Sequence, residues 1–83
     1  MADVMTLEMR PQQRVIKKDT IIPGNDESSA ALPHEVTVSV QEVETHGGTV
    51  YVATIIGYAG HNAQASVSDE AVLMILQQYV GIK

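Results

Sequence analysis

The pattern of apolar and polar positions is sharpest between Thr49 and Tyr58, where T-V-Y-V-A-T-I-I-G-Y is largely β-branched or aromatic and predicts a strand. Val50, Val52, Ile56 and Tyr58 share one parity, and Tyr51, Ala53 and Ile55 the other. Side chains leave a strand on alternate sides, so both faces of this one are apolar and each needs its own cover. Upstream, Glu35–Glu44 sets Val36, Val38 and Val40 against Thr37, Ser39 and Gln41, the alternation of a strand with one buried and one wet face. Val43 falls out of phase, which predicts a bulge near Gln41–Glu42 or a strand that stops there. Between the two strands, Thr45–Thr49 contains Gly47 and Gly48 and predicts a hairpin loop of about five residues.

After the turn residues 57–62, Ala63, Ala65 and Val67 alternate with Asn62, Gln64 and Ser66, which predicts a short strand at 62–67 whose alanines let a helix lie close. That helix is marked at both ends. Ser68 is the expected N-cap, Asp69 and Glu70 suit the positive end of the helix dipole, and Gly81 suits a left-handed stop. Between them Val72, Ile75, Leu76 and Tyr79 form one stripe. The N-terminal third is less regular. Met1–Met9 reads as a frayed or strand-like arm; a helix can start at Pro11, but the β-branched Val15, Ile16, Ile21 and Ile22 favour a strand over about 14–22. Pro23–Asp26 is a turn signal, and the small polar residues after it extend a loop to His34.

The expected fold is therefore α+β, in one domain: an N-terminal arm or edge strand within 1–22, a loop at 23–34, and a β-β-β-α core at 35–83. In that core a three-stranded antiparallel meander (about 35–44, 49–58 and 62–67) is packed by one C-terminal helix (about 69–80). If the helix covers one side of the central strand, Tyr51, Ala53 and Ile55 need cover from residues 1–22, a second copy or another protein.

Composition narrows the function classes. The chain has 83 residues, is 45% hydrophobic, and contains no Cys, Phe or Trp. The core is thus aliphatic and small, which favours help from a partner or a second copy, with a dimer the favoured oligomer. Without Cys there is no disulfide, thiolate nucleophile or Cys-based metal site, and the default setting is the cytoplasm. No apolar run reaches membrane-span length. The net charge of −5 is uneven: residues 1–34 carry five acids against four bases, whereas 35–83 carry Glu35, Glu42, Glu44, Asp69 and Glu70 against Lys83 alone. That surface cannot grip a phosphate backbone, so direct nucleic-acid binding is not expected. Arg10, Arg14, Lys17 and Lys18 remain as a possible basic contact, with a solvated face as the plainer reading.

No catalytic pattern stands out. His34, His46 and His61 match no zinc spacing, none of the serines lies in a G-x-S-x-G setting, and residues 57–60 are too short to cradle a pyrophosphate. No enzyme activity, metal or cofactor is expected. The sequence instead suggests a non-catalytic protein-binding module acting by occluding a basic surface, with Glu35, Glu42, Glu44, Asp69 and Glu70 as charges and Tyr51, Ile55 and Tyr58 as anchors. The alternative is a structural subunit in which residues 1–22 add a strand to a neighbour.

Over residues 35–82 the order of strand, strand, short strand and capped helix is similar to the partial double-stranded-RNA-binding-like fold of HicB-like antitoxins. Tyr51–Val52–Ala53 before a Gly-containing loop and Ser68–Asp69–Glu70–Ala71 at the helix start carry the resemblance. The Pro-Gly pair of that loop and the Gly before the helix cap are absent, and Asp69 and Glu70 stand where double-stranded-RNA binders carry lysines. The resemblance implies an antitoxin-type regulator. In size and charge the chain also resembles small acidic phage-encoded inhibitors of host defence or nucleic-acid machinery, a likeness that assigns no residue.

Overall fold

A computed structural model describes residues 12–24 and 27–81. The expected arm Met1–Met9, and Arg10 with it, lie outside the described residues. Among these residues six strands and one helix follow in chain order: β1 Gln12–Ile16, β2 Ile21–Pro23, β3 Ser29–Ala31, β4 Val36–Thr45, β5 Gly48–Ile55, β6 Ala63–Ala65 and α1 Ser68–Val80. Strands β1, β4, β5 and β6 form one antiparallel sheet in the order β1-β4-β5-β6, while β2 and β3 form a separate two-stranded hairpin.

The α+β class stands, with more strands than the expected meander. The segment read as one strand over 14–22 is two, because Lys18–Asp19 turn the chain and Asp19 takes a positive φ of 70°. The N–H of Asp19 and the C=O of Thr20 then bond to the C=O and N–H of Leu32 at 3.0 and 2.9 Å. This ties the second half of the segment to residues 29–32 rather than to the main sheet. The stretch 23–34, expected to be a loop, therefore contains β3 and delivers Leu32, which is fully buried.

Register explains which face is inside. Val38 pairs with Ile55 and Val40 with Ala53; Ala53 pairs with Ala63; Arg14 pairs with Val38 and Ile16 with Val36. Cross-strand partners point the same way, so Val36, Val38, Val40, Tyr51, Ala53, Ile55, Ala63 and Ala65 share the face that α1 covers. Ala71, Val72, Ile75 and Leu76 come down from the helix, and Ile22 and Leu32 from the small hairpin. Ala53, Ala63 and Ala71 are all buried, so β5, β6 and the helix meet through methyl groups. Gln77, the one buried polar side chain among the described residues, donates from Nε2 to the carbonyl oxygen of Pro23 at 2.7 Å and fastens the helix to the hairpin.

The helix ends as expected and begins differently. Gly81 sits at φ 83°, and its N–H donates to the carbonyls of Gln77 and Gln78, the left-handed stop that a residue with a Cβ resists. At the other end the cap position is Val67, which makes no side-chain cap bond. The hydroxyl of Ser68, the first helical residue, accepts instead from Nη2 of Arg14 at 3.3 Å.

Two further expectations change. The β4–β5 hairpin turns through His46 and Gly47 alone, because Thr45 pairs with Gly48, whose φ of 117° suits glycine. The Thr45 hydroxyl holds this turn, donating to the Gly48 carbonyl at 2.6 Å and accepting from the Gly47 N–H at 3.2 Å. There is also no bulge at Gln41–Glu42: pairing runs unbroken from Val38–Ile55 to Thr45–Gly48, and Val43 faces Val50.

Candidate functional site

The helix settles the question posed by the two-faced strand. It covers Tyr51, Ala53 and Ile55, the side for which another segment or molecule was expected, and leaves the opposite parity open. On that opposite face the register gathers Gln13 and Val15 of β1, Thr37, Ser39, Gln41 and Val43 of β4, Val50, Val52 and Thr54 of β5, and Gln64 of β6. Val15 is 59% exposed, and Val43, Val50 and Val52 are half-buried without belonging to the core. None of these side chains carries a formal charge. Among the described residues no element lies across them, since α1 and the β2–β3 hairpin both pack on the other side.

The second candidate surface is the end of the β4–β5 ribbon. Among the described residues β1 reaches along β4 as far as Val40, and β6 reaches along β5 as far as Tyr51. Beyond them Gln41–Thr45 and Gly48–Val50 pair with each other and, among the described residues, with no other strand. The Thr37 carbonyl accepts from the N–H of Ile56, so odd residues of β4 turn their backbone groups toward β5 and even residues toward the β1 side. Glu42 and Glu44 thus present their backbone N–H and C=O along the outer edge. Their side chains are exposed on the helix-side face. Glu42 stands opposite half-buried Tyr51, and Glu44 accepts from the Thr49 hydroxyl at 3.0 Å.

The other expected contact residues are dispersed. Glu35 precedes β4, seven residues from Glu42 and therefore about 24 Å away along a strand rising about 3.4 Å per residue. Ile55 is 4% exposed and belongs to the core, out of reach of any partner. Glu70 is exposed in the first turn of α1, while Asp69 is engaged by Arg14, whose Nη1 donates to Oδ1 at 2.7 Å. Lys17 and Lys18 are exposed at the β1–β2 turn. Arg14 and Asp69, placed by sequence in two different contact sets, thus satisfy each other. The pair is solvent-exposed, so Arg14→Ala is expected to cost under about 1 kcal/mol. The cost should shrink when urea denaturation is repeated at 1 M rather than at about 0.1 M salt; a loss unchanged by salt would rule out the ion pair as its source.

Sequence reasoning missed a row of four rings. Tyr58 stacks on His61 with centroids 4.1 Å apart and planes 11° from parallel, meets Tyr79 edge-on at 5.1 Å, and Tyr79 meets His34 edge-on at 5.8 Å. The Nδ1 of His34 lies 3.1 Å from the Glu35 carbonyl and its Nε2 lies 2.8 Å from the Tyr79 hydroxyl; the carbonyl can only accept, so Nδ1 is the donor to it, and in a neutral ring Nε2 accepts from the hydroxyl. Turn histidines near two tyrosines were the available signal, but the helix that joins them is distant in sequence. Among the described residues no three His, Asp or Glu side chains converge as metal ligands, and no helix is long and apolar enough to cross a membrane.

Comparison with protein-family models, curated proteins and solved structures gave no match to the chain.

Proposed function

We propose that this protein is a non-catalytic binding module, a small acidic regulator that acts by occupying a basic surface on another protein. The observation that supports this reading best is the β4–β5 ribbon, which among the described residues runs past both neighbouring strands, with Glu42 and Glu44 exposed on one side and Tyr51 opposite Glu42. An outer strand edge offers backbone bonds to an incoming extended segment, and the two acids select lysine or arginine at alternate positions of that segment. The same acids disfavour edge-to-edge pairing with an identical acidic strand. Asp69 has its own cation in Arg14, and Glu35 lies at the far end of β4, so the contact charge concentrates on Glu42 and Glu44.

The test compares the full chain with Glu42→Lys/Glu44→Lys in capture from an extract of the native host, at low salt and at about 0.5 M salt. A protein held by the wild type at low salt, released at high salt and missed by the charge-reversed form is the expected result. An identical captured set for both forms would eliminate the ribbon end as the contact. Both substitutions fall at exposed positions, so unchanged circular dichroism is expected of the variant.

A further inference from the structure

We infer that the open face of the main sheet is an interface between two copies of this chain, packed face to face across a two-fold axis. A chain of net charge −5 repels its own copies almost anywhere on its surface. The open face of the sheet is free of that repulsion, since none of its side chains carries a formal charge. Toward the ribbon end of this face Val43 pairs with Val50 and Gln41 with Val52. Hydroxyl and amide side chains flank this valine patch. A two-fold axis near the pair brings valines of one copy onto valines of the other and sets the uncharged rims together, whereas a strongly basic partner finds no counter-charge here. Two sheets packed in this way stand about 10 Å apart with their inner side chains interdigitated.

Area decides how strong such an association is. The twenty-six residues of the four strands each occupy about 16 Å² of sheet, from a rise of about 3.4 Å and a spacing of about 4.8 Å. That gives a footprint of about 400 Å² per copy and about 800 Å² for both, to which side-chain relief adds. The value is below the ~1,200 Å² at which stable interfaces begin and suits a reversible dimer. The helix and the acidic side of the ribbon stay outside, so each dimer would display two Glu42–Glu44 edges.

Sedimentation equilibrium of the full chain over about 10 μM to 1 mM tests this. The expected weight-average mass rises with concentration from the 9.0 kDa of one chain toward twice that value. Val43→Lys and Gln41→Lys each place two like charges in the interface and are expected to raise the dissociation constant at least tenfold. Met74→Lys, which removes a 36% exposed apolar side chain from the helix instead, should leave it unchanged. Gln41 is exposed, so its variant keeps the test intact even if Val43→Lys fails to fold. A wild-type mass that stays at one chain throughout overturns the proposal, because the face is then empty or covered within the chain. So does a dimer that Gln41→Lys does not weaken, or one that Met74→Lys weakens equally.

Discussion

Leu32→Ala is expected to cost about 2–5 kcal/mol, a large share of the roughly 4–12 kcal/mol that holds an 83-residue domain together. Leu32 is fully buried, and with Ile75 and Val38 it is among the largest side chains so placed. Its loss leaves a cavity between the small hairpin and α1, and the surroundings cannot readily collapse to fill it. The Leu32 backbone is pinned on both sides by Asp19 and Thr20, and the hairpin is tied to the helix through Gln77 and Pro23. Urea denaturation should show a lower midpoint with an unchanged slope, and thermal melting a drop of more than about 10 °C. A loss below about 1 kcal/mol would mean that residues 29–32 do not contribute to the core.

Ala53→Leu should cost about 1–3 kcal/mol for the opposite reason. Ala53 is fully buried, it pairs with Val40 on one side and Ala63 on the other, and Ala71 above is equally enclosed. Three added carbons have no space unless α1 lifts from the sheet. Lifting would loosen Ile75 and Leu76 with it, so the variant should expose apolar surface and bind a hydrophobic dye as well as melt earlier. Thr54→Leu, one residue along on the opposite face, installs the same side chain where no described element of the same chain lies above it, and at dilutions that keep the protein monomeric it serves as the control. Equal destabilisation by both would show that strand propensity, rather than helix contact, sets the response.

The contrast between these neighbours shows what was legible in the sequence. The alternation of Val36, Val38 and Val40 and the stripe on α1 announce themselves, because each residue's burial follows from its period within one element. Val43 misled for an instructive reason. The apolar side of β4 switches at Gln41, where burial on the helix side stops after Val40. From there the acids occupy the helix-side face and Val43 faces Val50, with no change of register. The break between β1 and β2, and the whole of β3, escaped because three residues set no period, and a leucine preceded by alanines and followed by proline looks like a linker until its backbone partners are known. Among the site residues, the surface position of Glu42 and Glu44 was readable from their charge and not from strand parity, which sets them on the side of Val36, Val38 and Val40. The burial of Ile55 was not, since its strand is apolar on both sides and only the docked helix determines which side is the inside. The Arg14–Asp69 pair joins residues 55 positions apart, beyond the reach of any local pattern.

The four-ring row has a practical consequence for anyone measuring these effects. With no tryptophan and only three tyrosines, ultraviolet emission of the protein comes from Tyr51, Tyr58 and Tyr79. Two of those three emitters touch each other and an imidazole apiece, across the gap between the helix and the loop after β5. Their brightness is therefore a built-in gauge of whether the helix is seated, readable without a label.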